Sequence, residues 1–354
     1  MTRNGYSGWR GGRPHATLEP RGPFLASSHA MKAILCTHYG TIDELELGEI
    51  PDPVVAPGQA VVAIKAVGLN FFDTLLIAGK YQTRPAFPFS PGAEFAGVVE
   101  SVAADVTEVA PGDRVVGYVD AGAARERIAV PAKSLAKLPD NLEFERAAAV
   151  TVTYGTSYYA LKDRANLQPG ESLAVLGAAG GVGLAAVELG KLMGARVIAC
   201  ASSDEKLAFT KQHGAEATVN YARENLRDAL RAHTGGLGVN AVYDPVGGPY
   251  SEPALRGLDW GGRLLVVGFA AGEIPKLPLN LALLKSCDIR GVFWGAWTRR
   301  DPAGHRANMR QLLDWCAAGK LSAHVHATYP LAEAKRALHA IADRQVLGKA
   351  VLTV

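Results

Sequence analysis

The sequence predicts an α/β protein in which a doubly wound parallel sheet is joined to a second, β-rich domain. A glycine cluster lies between two short apolar runs within residues 172–206. Strand-like and helix-like segments then alternate as far as residue 266. Residues 31–138 consist of short apolar stretches separated by Pro-Gly turns, the pattern of a small, partly open β-barrel.

The fold prediction starts from one β–α–β unit. Leu173–Leu176 is typical of a buried strand, Gly181–Met193 has the apolar period of a helix, and Arg196–Cys200 is a second buried run. Small residues let the backbone approach a pyrophosphate, and the helix N-terminus offers it free N–H groups. The unit therefore predicts a dinucleotide site, with an ordinary turn of packing glycines as the alternative. The G-x-G-x-x-G fingerprint has alanine in its first position and maps to Ala178, Gly180 and Gly183.

The end of the second strand indicates which dinucleotide is bound. NAD sites usually have an acid there, which binds the ribose 2′-hydroxyl, but this chain has Ala201. Ser202 and the serine after it supply hydroxyls, and Lys206 supplies an ammonium, donors that suit a 2′-phosphate. Asp204 and Glu205 are expected to cap the next helix. We therefore predict NADP(H) rather than NAD(H), with a solvated Lys206 as the alternative.

Composition excludes several classes of protein. A chain of 354 residues with 48% hydrophobic and 20% charged residues predicts a soluble, two-domain globular protein. No apolar run approaches the ~18 residues of a membrane span. The net charge of +3 comes without a basic stripe, so nucleic acid is not expected as the primary partner. The cysteines lack C-x-x-C spacing, which favours a reducing cytoplasm over disulfides or a zinc lobe. They are Cys36, Cys200, Cys287 and Cys316.

The remaining elements follow in order. The β-rich part ends in helical sequence, and βα repeats follow the dinucleotide unit. A last strand is predicted within 285–297, and the tail, which ends in the strand GKAVLTV, is expected to return to the first domain. The predicted helices are 142–161, 207–213, 225–233, 250–258, 306–318 and 331–343.

Residues 1–30 differ from the rest of the chain. They are rich in Gly, Pro and Arg, have no hydrophobic period, and lack the apolar stretch of a secretory signal. This composition predicts a disordered N-terminal extension or a true start at Met31. A targeting or nucleic-acid-binding tail is the alternative.

A set of motifs in a fixed order gives the chain a resemblance to a known family. They are MKAILC, PGAEFAGVV, PGDRVVG, TYGTSYYAL, GAAGGVG, DPVGG, VVGFAAG and GKAVL. From Met31 to Val354 the chain resembles the medium-chain dehydrogenase/reductase superfamily, and within it the zinc-free quinone oxidoreductase branch. The resemblance implies a GroES-like catalytic domain (31–153 and 296–354), a Rossmann NADP(H)-binding domain (154–295) and a cofactor cleft between them.

The same resemblance implies that no metal is used. Zinc-dependent relatives have a cysteine where this chain has Asn70, and a histidine where it has Ala93, between Gly92 and Glu94. Asp73 and Glu94 alone do not form the tetrahedral set that zinc needs. Hydride transfer then depends on the cofactor, and the protein supplies orientation and a dry cleft.

Site residues are carried over position by position. Asn70 and Tyr81 are implied near the nicotinamide and the acceptor, Asn70 as a donor to a carbonyl oxygen and Tyr81 as a donor or proton source. Leu75 departs from the family, which has a tyrosine there, and Asp73 is expected to support the loop. The implied contacts of the nicotinamide, pyrophosphate and 2′-phosphate are Thr156, Gly180, Gly181, Val182, Ser202, Lys206, Tyr221, Gly268, Phe269 and Arg344.

The implied function is zinc-independent hydride transfer from NADPH to a quinone, carried out by a homodimer. An enone, alkenal or enoyl-thioester reductase on the same scaffold is the alternative. A more remote alternative is a non-catalytic NADPH-binding protein, crystallin-like or RNA-binding. The aromatic residues Phe293, Trp294 and Trp297 form either a wall of the substrate cleft or a dimer contact.

Overall fold

The computed structural model describes residues 30–354. The predicted extension, 1–30, lies outside the described residues except for its last position. The strands are β1 (Ala30–Leu35), β2 (Glu46–Pro51), β3 (Gln59–Leu69), β4 (Glu94–Val102), β5 (Arg114–Tyr118), β6 (Arg127–Pro131), β7 (Ala136–Lys137), β8 (Ser172–Leu176), β9 (Arg196–Ala201), β10 (Ala217–Asn220), β11 (Val239–Asp244), β12 (Leu258–Val266), β13 (Asp288–Gly291), β14 (Val325–Pro330) and β15 (Lys349–Thr353).

Helices connect most of these strands. The α-helices are α1 (Phe71–Ile77), α2 (Phe144–Ala148), α3 (Thr153–Tyr158), α4 (Gly181–Leu192), α5 (Asp204–Gln212), α6 (Leu226–Ala232), α7 (Ser251–Arg256), α8 (Asn280–Lys285), α9 (Trp294–Arg300), α10 (Pro302–Ala317) and α11 (Ala334–Ala342). Short 3₁₀ turns occupy Ile42–Glu44, Ala132–Ser134, Gly248–Tyr250 and Leu331–Glu333, and a π-helical turn occupies Tyr159–Arg164.

The predicted doubly wound sheet is confirmed. Six parallel strands lie in the order β10-β9-β8-β11-β12-β13. The inner strands β8, β9 and β11 are almost entirely buried, because helices cover both faces of a parallel sheet. The strand order reverses between β8 and β11, and the crevice for a ligand therefore opens at the carboxyl ends of these two strands.

The predicted β-rich, partly open domain is also confirmed. Its sheet has the order β14-β15-β3-β4-β5-β7, with β6 paired to β3 and with β1 and β2 forming a separate ribbon. The tail returns to this sheet as expected, since β15 pairs antiparallel with β3. The domain boundaries 31–153, 154–295 and 296–354 stay a prediction.

The structure differs from the predictions at four elements. The helix expected at 142–161 is divided into α2 and α3 by a turn at 149–152, where Glu94 binds the backbone of Val152. The strand predicted within 285–297 is β13, which ends at Gly291, and the aromatic residues after it begin α9 rather than extend the strand. Helices α1 and α8 were not predicted, because each is only six or seven residues long and lies beside an apolar run.

Candidate active site

The turn between β8 and α4 requires glycine at two positions. Gly177 has a positive φ of 57°, a conformation that other residues rarely adopt. A Cβ atom on Gly183 would lie 2.2 Å from the carbonyl oxygen of Gly177. The helix start therefore packs directly against the turn.

Three predicted cofactor residues form the N-terminus of α4. Gly180 is its N-cap, and Gly181 and Val182 are its first two residues, whose N–H groups have no partner within the helix. The tail approaches from the other side, since Gly348 N donates to Ala179 O at 2.8 Å. A Cβ on Gly181 would lie 3.3 Å from the carbonyl oxygen of Gly348. Donors in this narrow cradle fit a pyrophosphate, and a side chain would obstruct it.

The predicted 2′-phosphate pocket brings together residues that are distant in sequence. Ser202 follows β9 and is exposed. Lys206 Nζ donates to the carbonyl oxygen of Arg344 at 3.0 Å, and the ring of Tyr221 lies 4.4 Å from that of Tyr250. Burial raises the pKa of Tyr221 to about 12, and the charge of Arg344 opposes this shift. Two cations and a phenol thus meet at one end of the crevice.

The acids at the start of α5 differ from the prediction. The N-cap is Ser203, whose Oγ accepts from Lys206 N at 3.4 Å. Asp204 instead accepts hydrogen bonds from Asn220 Nδ2, at 2.7 Å, and from Arg223, and these bonds lower its pKa. The expectation that Asp204 caps α5 was wrong, because side chains from the end of β10 and from the loop after it bind its carboxylate.

The loop after β12 contains the predicted residues Gly268 and Phe269. Gly268 N lies 3.3 Å from the carbonyl oxygen of Asp244, at the end of β11. Arg344 Nη2 donates to the carbonyl oxygen of Ala270 at 3.2 Å. These contacts place the loop at the carboxyl edge of the sheet and join it to the predicted 2′-phosphate pocket.

Thr156 lies in α3, which packs against the start of α4. Its neighbour Ser157 donates from Oγ to the carbonyl oxygen of Val182 at 2.9 Å. Thr156 is half-buried beside this contact. The structure therefore places Thr156 in the helix that contacts the start of α4.

Asn70 lies at the start of α1 in a buried polar network. Its Nδ2 donates to Glu94 Oε1 at 2.9 Å and lies 3.5 Å from the carbonyl oxygen of Gly68. Its Oδ1 accepts from Lys349 Nζ at 2.5 Å, and the same ammonium lies 2.5 Å from Glu94 Oε1. Glu94 Oε2 accepts from Val152 N at 2.7 Å. The network thus connects β4, β15 and the turn between α2 and α3.

Asp73 supports the backbone around Asn70, as expected. Its Oδ2 accepts from Asn70 N at 2.7 Å, and its Oδ1 accepts from Gly92 N at 3.0 Å. Complete burial raises the pKa of Asp73 to about 6, and these backbone bonds partly offset the shift.

Tyr81 is held by an aromatic neighbour. Its ring stacks on Phe72 with centroids 5.2 Å apart. Burial raises the pKa of Tyr81, and the charges of Asp73 and Asp120 add to the shift. The phenol therefore stays protonated at neutral pH and can donate a hydrogen bond.

Several residues near Tyr81 were not predicted. The ring of Tyr118 packs edge-on against Trp294 at 4.8 Å, and Arg299 pairs with Asp120 at 3.1 Å. Both contacts join the β-rich domain to α9. Tyr118 and Asp120 belong to an apolar strand and the loop after it, and nothing in the sequence pairs them with α9. Lys349, in the Asn70 network, could have been found from the sequence, because it is a single lysine in an apolar strand.

The predicted aromatic cluster separates into three environments. Trp294 is buried, and a Cβ on Gly155 would lie 2.8 Å from its ring. Trp297 stacks on Tyr159 with centroids 4.4 Å apart. Phe293 is 64% exposed. Trp294 therefore belongs to the contact between the domains, and only Phe293 is open to a partner.

Two features are absent from residues 30–354. None of the helices there is long and apolar enough to cross a membrane. No group of three or more His, Cys, Asp or Glu side chains is placed to hold a metal ion in this part of the chain. Zinc-independent chemistry stays a prediction.

Comparison with known proteins identifies the family. Residues 56–140 match the alcohol dehydrogenase GroES-like domain, and residues 181–318 match the zinc-binding dehydrogenase family. A quinone oxidoreductase-like protein 2 homolog from Nematostella vectensis is 38% identical over 91% of this chain and 88% of its own length. The Pseudomonas syringae quinone oxidoreductase structure has a TM-score of 0.86 and 32% identity, covering 92% of this chain and all of that one.

A second similar structure carries a cofactor. It is the Escherichia coli quinone oxidoreductase complexed with NADPH, with a TM-score of 0.85 and 30% identity over 91% of this chain and all of that one. The motifs, the two sheets and these relatives all indicate the same family. The chain belongs to the quinone oxidoreductase-like branch of the medium-chain dehydrogenase/reductase superfamily.

Proposed function

We propose that this oxidoreductase transfers a hydride from NADPH to a quinone without a metal ion. One observation carries the proposal: the tail of the chain links the three groups of residues, because Gly348 binds the glycine turn, Lys349 binds Asn70 and Arg344 binds Lys206. NADPH supplies the hydride when it is bound. Gly180, Gly181 and Val182 would hold its pyrophosphate, and Ser202, Lys206, Tyr221 and Arg344 would hold its 2′-phosphate.

The protein groups have separate roles in this proposal. Thr156, Gly268 and Phe269 would position the nicotinamide. A quinone is already electrophilic and needs only modest help from hydrogen-bond donors. Asn70 Nδ2 would donate to its carbonyl oxygen, and the protonated phenol of Tyr81 would supply a second donor or a proton.

Side-by-side oxidation of NADPH and NADH tests the proposed function. The acceptors are 1,4-benzoquinone, 9,10-phenanthrenequinone and a simple enone, each with and without a chelator. We expect quinone reduction that prefers NADPH and is insensitive to the chelator. Enone turnover alone would instead assign the chain to the alternative reductase class. Tight NADPH binding without turnover would support a non-catalytic protein.

We also propose that two copies of the chain associate through the β13 edge of the parallel sheet. β13 is the last strand of the sheet within the described residues. Large apolar side chains are exposed on the segments around it, and an apolar surface of this kind typically marks an interface. They are Ile274 (68%), Leu279 (75%), Leu283 (78%), Leu284 (66%) and Phe293 (64%).

A single charge should disrupt this association. Leu283→Glu is expected to convert a dimer into a monomer, because it places a carboxylate in an apolar contact. Size-exclusion chromatography with light scattering gives the mass. Leu237→Glu is the matched control, since Leu237 is also 68% exposed but precedes β11. A wild-type monomer, or a dimer that survives Leu283→Glu, would refute this interface.

A further inference from the structure

The side-chain amide of Asn70 lies between two buried charges. Lys349 Nζ donates to Oδ1 at 2.5 Å, and Glu94 Oε1 accepts from Nδ2 at 2.9 Å. An ammonium only donates hydrogen bonds and a carboxylate only accepts them. The pair therefore permits one orientation of the amide, because a flipped amide would place its NH₂ group against the ammonium.

This orientation leaves one N–H of Asn70 for a ligand. Nδ2 has two N–H groups, and Glu94 accepts from the first. The second has only the carbonyl oxygen of Gly68, at 3.5 Å, which is longer than a normal hydrogen bond. A carbonyl acceptor that receives a hydride develops negative charge on its oxygen, and such an oxygen binds an N–H donor more strongly than the ground state does.

The fold alone does not account for a lysine at this position. Lys349 is 4% exposed, in a strand whose other residues are apolar or threonine. Glu94 is completely buried, and a Cβ on Gly68 would lie 2.8 Å from its Cγ, so glycine makes room for the carboxylate. A buried ion pair adds little net stability over apolar side chains of the same size. A role in the neighbouring site explains the pair better.

We propose that Lys349 is a positioning residue for the hydride transfer. Its ammonium fixes the orientation of the Asn70 amide and draws electron density toward Oδ1, which makes the remaining Nδ2–H a stronger donor to the acceptor oxygen. Lys349 acts only through Asn70, because its own ammonium is bound by Asn70 and Glu94. The inference rests on the proposed function.

The test compares a variant that lacks both charges with one that keeps only the ammonium. Lys349→Met/Glu94→Gln removes both charges, and Glu94→Gln alone keeps the ammonium and serves as the reference. Relative to that reference, we expect the double variant to lower kcat with 1,4-benzoquinone about 10-fold, as loss of a supporting partner typically does, with KM for NADPH unchanged. Lys65→Met, at an exposed lysine on the adjacent strand β3, should keep wild-type kcat.

A double-mutant cycle separates positioning from structural damage. Asn70→Ala is expected to lower kcat about 100-fold, as loss of a donor to a developing oxyanion does. Adding Lys349→Met/Glu94→Gln to Asn70→Ala should then cause no further loss, because Lys349 acts through the missing amide. A further 10-fold loss on the Asn70→Ala background would mean that the ion pair serves only the structure.

Nuclear magnetic resonance gives a readout without turnover. With ¹⁵N-asparagine labelling, the side-chain amide protons of Asn70 are identified by their loss in Asn70→Ala. They should move upfield in the double variant, since a less polarised N–H is less deshielded. If the wild-type enzyme is active and the double variant changes neither these resonances nor kcat, the proposed role of Lys349 is overturned and the proposed function is not. Absence of wild-type turnover with every acceptor would overturn the proposed function and this role with it.

Discussion

Lys206→Gln is expected to raise the KM for NADPH by about 10- to 100-fold and to leave the KM for NADH unchanged. A hydrogen bond to a charged group contributes about 1.5–3 kcal/mol, and each 1.4 kcal/mol is tenfold in affinity. Only NADPH carries the 2′-phosphate that Lys206 would bind. Steady-state kinetics with both cofactors measures the effect.

The ratio of the KM for NADPH to the KM for NADH shows whether Lys206 recognises the 2′-phosphate or only supports the fold. Lys206 Nζ also binds the carbonyl oxygen of Arg344, and loss of that contact would weaken both cofactors alike. Arg344→Gln should lower the preference for NADPH in the same way. Lys211→Gln, on the exposed face of the same helix, is the matched control. Equal losses for NADPH and NADH would refute the proposed 2′-phosphate pocket.

Glu188→Leu is expected to lower the free energy of unfolding by about 3 kcal/mol or more. Glu188 is 7% exposed in α4, and three residues from other segments bind its carboxylate. It accepts from Tyr154 OH at 2.8 Å and from Ser322 N at 2.9 Å, and it lies 2.6 Å from His213 Nδ1. Leucine leaves the buried phenol of Tyr154 and the largely buried imidazole of His213 without this partner, and each such group costs about 1–3 kcal/mol.

Chemical denaturation measures this loss. Glu188→Gln should destabilise less, because its amide oxygen still accepts from Tyr154 and Ser322. Glu205→Leu is the control at an exposed glutamate, where we expect a change within about 0.5 kcal/mol. A loss below 1 kcal/mol for Glu188→Leu would show that the network does not hold these segments together.

Local sequence was sufficient for the nucleotide-binding unit. Its strand, turn and helix occupy thirty consecutive residues, and hydrophobic period and glycine spacing report such short-range structure directly. The prediction for α4 ends one residue later than the observed helix. The local sequence was not sufficient for the helix predicted at 142–161, because the turn at 149–152 depends on Glu94, which lies in β4.

The sequence by itself determined the fold class, the family and the glycine cradle, since each depends on residues close together along the chain. Only the tertiary structure decided which distant side chains meet. Lys349 is 279 residues from Asn70, and Lys206 is 138 residues from Arg344. Such contacts follow from strand register and from the return of the tail to the first domain. A lysine in an apolar strand signals an unusual environment, but its partners are set by the packing of β15 against β3.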